Sequence, residues 1–187
     1  MYRCKSIYKE SNSTGNRIAI FIASFIVSFS FLYSTLSFLF YHVPQSSNMV
    51  VPLILLPLIY PLHKGIHVLA LILVHEKIEC HLNRIVHLFF KTNITIKHPI
   101  AKWKYIFALV APLIFLSVLF LSFIYLFPTY GYVFVLSLSL NFSISSHDLI
   151  SLKDIKGAPK KSYIEEHDEG YNILTTSIST INLNQSL

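Results

Sequence analysis

Four stretches of the chain are almost wholly apolar, and clusters of polar or turn-forming residues separate them. The first runs from Ile18 to Phe40 and gives way to His42-Val43-Pro44-Gln45-Ser46-Ser47-Asn48. The second begins after that break and continues to Val74, while the third starts near Tyr105 and stops at Pro128-Thr129-Tyr130-Gly131. A fourth follows at once and fades into polar residues before Asp148. A helix rises about 1.5 Å per residue, so roughly 20 apolar residues cross a hydrocarbon core about 30 Å thick. The pattern predicts an all-α membrane protein with four transmembrane helices arranged as two hairpins. The spans are expected at about 18–41, 49–74, 105–127 and 130–146, both breaks being places where a chain leaving the bilayer would turn.

Three polar segments flank these spans. Residues 1–17 are expected to form a leader, 75–104 a loop and 147–187 a tail. In the loop, Ile94-Thr95-Ile96-Lys97 alternates as a strand would, and the apolar residues of 82–90 suit one face of a helix, so a small hairpin is expected there. Trp103 and Tyr105, beside Lys102 and Lys104, suit the water interface where the third span enters. Pro112 lies inside that span and implies a kink, tolerable where a neighbour satisfies the carbonyl it frees. The tail changes from basic (Lys153, Lys156, Lys160, Lys161) to acidic (Glu165, Glu166, Asp168, Glu169), and its Ser-, Thr- and Asn-rich end is expected to be disordered after at most a small β element.

Composition sharpens the assignment. Only 13% of residues are charged against 53% hydrophobic, which excludes a water-soluble globule as the default. Residues 18–63 and 105–147 contain no Asp, Glu, Lys or Arg. The basic residues gather in leader, loop and tail, and neither short turn has any. The positive-inside rule therefore predicts that both termini and the central loop are cytoplasmic. The net charge of +6 follows from that orientation, and no basic strip interleaved with aromatics points to nucleic acid. Because the first apolar run is longer than a signal-peptide core and lacks a small-residue cleavage site, it is expected to be a retained span. Cys4 and Cys80 would then face a reducing compartment, with neither a disulfide nor a Cys-based metal site expected. The Asn-x-Ser/Thr matches at Asn12, Asn93 and Asn141 are read as chance.

One charge breaks the pattern. Lys64 lies inside the second span, in Tyr60-Pro61-Leu62-His63-Lys64-Gly65-Ile66-His67. Residues four apart share a helix face, so His63 and His67 can reach one metal ion, or can equally be satisfied polar residues in a packed bundle. Polar groups inside a span are costly and usually mark a protein interior, a water pocket or a ligand. Pro61 would start or kink the helix here, and Gly65 would permit close approach of another span. Asp148, in Asn141-Phe142-Ser143-Ile144-Ser145-Ser146-His147-Asp148, can converge on the two histidines from the same side of the membrane, or can be a plain helix-end residue. Two imidazoles and a carboxylate with an open fourth position suit a catalytic zinc. The remaining histidines offer less. His75-Glu76-Lys77-Ile78-Glu79 lacks a second histidine and is read as a solvated face, and His81, His87 and His98 lack ligand spacing.

From the first span to about Tyr171 the sequence resembles the putative zincin peptidase family of bacterial membrane proteins, whose function is largely unknown. The resemblance rests on the leucine-rich span with two histidines, on Lys102 to Pro112, on Ser145-Ser146-His147-Asp148, and on the segments Gly157-Ala158-Pro159 and Asp168-Glu169-Gly170-Tyr171. The family resembles intramembrane metalloproteases, with His-Glu-x-x-His on one span and a distant Asp as third ligand. The resemblance implies His63, His67 and Asp148 as zinc ligands in a bacterial cytoplasmic membrane. It also exposes a departure, because Lys64 occupies the glutamate position. A protonated lysine cannot take a proton from water, and its charge opposes binding of a dication. Such an amine is better suited to donate to a nearby carbonyl or to pair with Asp148. The expectation is thus a zincin-like scaffold inactive as a peptidase, with no catalytic residue assigned, that keeps zinc or has lost it and uses the former cleft for a membrane-protein partner or substrate. Two other readings stay open: a small transport or assembly subunit in which His63, Lys64, His67 and Asp148 relay protons or ions, and a structural membrane protein with no site.

Overall fold

The computed structural model describes residues 3–4, 14–40, 50–74, 100–160, 162–167 and 170–175. Among the described residues four helices are long and apolar enough to cross a membrane: α1 (Thr14–Phe40), α2 (Val50–Val74), α3 (Lys102–Leu126) and α4 (Gly131–Lys156). A single 3-10 turn, Pro128–Tyr130, joins α3 to α4. Prolines do not end the helices. Pro57 and Pro61 lie within α2 and Pro112 within α3.

α4 is the central element and packs against all three other helices, whereas α1 packs chiefly against α4. Its serines make that position tolerable. Ser137 and Ser139 are buried and return their hydroxyls to Val133 O and Val135 O, and Ser143 donates to Phe21 O of α1 at 2.6 Å. Small side chains that satisfy themselves let α1 come close without leaving unpaired groups in an apolar setting. Phe25, Phe29, Tyr33 and Tyr132 add ring contacts along the same seam.

A four-stranded antiparallel sheet lies at one end of the bundle, in the order β1 (Arg3–Cys4), β4 (Gly170–Thr175), β3 (Ser162–His167), β2 (Ile100–Ala101). β2 leads directly into α3, and β3 follows α4 through a short turn. Two lysines stitch that end together. Lys102, only 5% exposed, donates from Nζ to Lys156 O at 2.9 Å and to Ala158 O, and Lys104 donates to Val74 O at 3.0 Å. Both therefore supply positive charge to the carbonyl ends of helices. Of the aromatics expected at the water interface, Trp103 is exposed, whereas Tyr105 is buried in the core.

The core is split in two. One cluster at the sheet end joins Ala70, Leu71, Ile100, Tyr105, Ala108, Ile155, Ile164 and Ile173. The other, at the far end, joins Leu36, Ile59, Leu116, Phe120, Ile124, Phe134, Val135 and Leu138. On α2 and α4 the stretches between the two clusters carry buried polar side chains, whereas the corresponding stretch of α3 is apolar and contains Pro112. α4 outlasts its apolar stretch and stays helical to Lys156, so Asp148 stands within the helix and not at its end. The segments 82–90 and 94–97, from which a hairpin is expected in the 75–104 loop, and the end of the tail lie outside the described residues, whereas residues 100–104 form β2 and the start of α3.

Candidate metal centre

His63 and His67 occupy one face of α2, and both are buried. Asp148 reaches them from α4. Its Oδ2 lies 3.0 Å from His63 Nε2 and 3.2 Å from His67 Nε2, and the two Nε2 atoms are 3.2 Å apart. Counting along the helices at about 1.5 Å per residue, the three residues stand roughly 10 to 17 Å inside the sheet ends of α2 and α4.

The outward-facing nitrogens decide the chemistry. His67 Nδ1 donates to the backbone carbonyl of Ala108 in α3 at 2.9 Å. His63 Nδ1 donates to Asn141 Oδ1 in α4 at 2.9 Å. A carbonyl oxygen only accepts, so in both rings the hydrogen sits on Nδ1. The Asn141 amide is oriented by its other end, since Nδ2 is 3.5 Å from Leu113 O and Ser117 Oγ. A neutral imidazole protonated at Nδ1 presents a bare lone pair at Nε2. Two such lone pairs and a carboxylate oxygen therefore converge on one point. They repel one another unless a cation sits among them, and outer partners of this kind are what hold metal-binding histidines in the right tautomer. Ligand atoms about 2.0 to 2.1 Å from a tetrahedral zinc lie about 3.3 Å from one another, close to the separations here. The donor set and its spacing fit a zinc ion.

A further polar group belongs to the same face. Ser145 is one turn from both Asn141 and Asp148 along α4, its hydroxyl is buried, and it has no hydrogen-bond partner among the described residues. Native proteins rarely leave such a group idle.

His63, His67 and Asp148, singled out in the sequence, are thus brought together. Lys64 is half-buried and adjoins His63 in α2. It does not pair with Asp148, which instead bonds both imidazoles. Gly65 is not a close-approach position: a Cβ there would meet nothing within 4 Å, because this face of α2 points away from its neighbours. Asn141, Ala108 and Ser145 escape a reading of local spacing, since the partners they serve are distant in the chain. Pro112 was the one available signal for Ala108. His75, His81, His87 and His98 lie outside the described residues.

A family described as "Putative zincin peptidase" matches the chain over residues 56–163. That span is more than half of the chain and contains all three candidate ligands, Asn141 and Ser145. Neither a curated protein nor a solved structure matches.

Proposed function

Because the chain belongs to the putative zincin peptidase family, we propose that it holds a zinc ion at His63, His67 and Asp148 within the membrane, on a scaffold whose peptidase chemistry is blocked at Lys64. The observation that carries this reading is the pair of Nδ1 tethers, which turns both Nε2 lone pairs on the Asp148 carboxylate. Bound there, zinc would supply Lewis acidity towards a carbonyl or water oxygen. The chain's own groups divide the remaining work. Asn141 and Ala108 orient the imidazoles, the two apolar clusters exclude bulk water, and the Ser145 hydroxyl is available to hydrogen-bond a ligand at the open position. Lys64 stands where the motif needs a proton acceptor, and a protonated ammonium has no lone pair to offer.

The basic residues near the sheet end, Lys102, Lys104, Lys153 and Lys156 among them, support an orientation with that end cytoplasmic. The resemblance supports a bacterial cytoplasmic membrane, with a membrane protein as substrate or partner.

A second reading has its own support. The same three atoms lie at hydrogen-bond distance, so a single shared proton would also relieve their repulsion, as in a proton relay. Metal analysis of detergent-purified protein separates the two. Near-stoichiometric zinc, lost in a His63→Ala/His67→Ala double variant, is expected of the metal centre, and metal-free protein that is natively folded refutes it. Lys64→Glu tests the block. The variant should cleave a membrane substrate faster than the wild type, and equal rates refute a block at this position.

A further inference from the structure

The carbonyl that anchors His67 is free because of a proline. In an α-helix the N–H of residue 112 bonds to the carbonyl of residue 108, and proline has no N–H. α3 nevertheless runs through Pro112, which is fully buried, and the carbonyl left over is the one that accepts from His67 Nδ1 at 2.9 Å. Ala108 is itself buried, so bulk water is no substitute partner.

We infer that Pro112 is a positioning residue of the centre: by removing one helical donor it reserves the Ala108 carbonyl for His67, and so fixes that ring with Nδ1 protonated and Nε2 facing His63 and Asp148. The other helix-internal prolines differ. Pro57 and Pro61 free the carbonyls of Leu53 and Pro57, both on an exposed face of α2, and among the described residues neither carbonyl anchors a histidine. The two imidazoles are thus held by unlike means, His63 by a side-chain amide and His67 by a backbone group made available one turn away. A backbone carbonyl cannot be deleted by substitution, which makes Pro112 the means of perturbing it.

The test compares Pro112→Ala and Pro112→Val, the second closer to the ring in volume, with Pro57→Ala as a proline loss remote from the centre. In full-length, metal-free protein in detergent, imidazole nitrogen resonances report the tautomers, assigned by the signals that vanish in His63→Asn and His67→Asn. Both Pro112 variants should move His67 away from the Nδ1-protonated form while His63 keeps it, and Pro57→Ala should move neither. Zinc affinity, measured by competition with a chelator, should fall about 10- to 100-fold in the Pro112 variants only. An unchanged His67 tautomer with zinc affinity within about threefold of wild type overturns the inference. So does an equal change at both histidines, which would mean that the helix had shifted and no acceptor had been lost. The affinity measurement rests on the metal reading, but the tautomer measurement does not. A wild type that takes no zinc would refute that reading, and the resonances would still decide on Pro112.

Discussion

Asn141→Leu isolates the tether of His63. The amide is fully buried, and its one well-formed bond is the 2.9 Å contact with His63 Nδ1, whose ring is also inaccessible. The contacts from Nδ2 to Leu113 O and Ser117 Oγ, at 3.5 Å, stand at the edge of hydrogen bonding and contribute little. Leucine matches the amide in shape but accepts nothing, so the substitution strands a buried N–H. That costs about 1–3 kcal/mol of stability. With its anchor gone, His63 is free to turn or to exchange tautomers, and outer-partner losses of this kind reduce metal affinity about 10- to 100-fold, or about 1.4 to 2.7 kcal/mol. Thermal unfolding in detergent and zinc competition measure the two effects separately. Asn141→Asp keeps an acceptor at the same place and should hold zinc within about tenfold of wild type, the carboxylate–histidine pairing making the ring more basic. Wild-type unfolding and wild-type zinc affinity in Asn141→Leu would refute the tautomer argument, because both effects follow from the same bond.

Ser145→Ala should leave the unfolding midpoint unchanged or raise stability by about 1 kcal/mol, since it removes a buried hydroxyl that no described residue satisfies. A clear loss of stability would mean that the hydroxyl is already engaged within the folded chain. Lys102→Met retains most of the aliphatic stem but removes the donor to Lys156 O and Ala158 O. It should cost about 1.5–3 kcal/mol, as charge-assisted bonds do, and should speed amide exchange in β3 before it affects α1. Uniform exchange throughout the bundle would refute the local role.

The helices are legible in the sequence because charge is absent over long stretches and turn-formers punctuate them. What the local pattern hides is long-range. Lys102 looks like an interfacial loop residue and Tyr105 like an interfacial anchor, yet both are buried, because β2 and β3 cover the start of α3. The strands β1 and β2, two residues each, carry no detectable alternation and exist only through their partners. Helix α4 continues beyond the point where apolarity fades, since Ser137, Ser139, Ser143 and Ser146 bond back within the bundle and need no loop. At the centre, the spacing of His63 and His67 suggested one shared face, and Asp148 was reachable from the topology. The tethers were not, because Asn141 and Ala108 belong to other helices. Pro112 alone announced that a carbonyl would need a partner, and His67 is that partner.

Residue 64 offers the last discrimination, between a dication and a proton at the point where Nε2 of both histidines meets Asp148. Replacing the motif's glutamate by lysine changes the local charge by two units, and Coulomb energies scale with the charge of whatever is bound. A dication feels that change twice as strongly as a proton does. In a series Lys64, Lys64→Met and Lys64→Glu, zinc affinity should therefore rise at each step, independently of any peptidase activity. The shared-proton state should respond in the same direction but about half as steeply on a free-energy scale. Calorimetric zinc titration and histidine nitrogen resonances follow the two responses in the same variants. A flat zinc series would mean that the ammonium of Lys64 is turned away from the centre, and would refute the argument that its charge weakens zinc binding there.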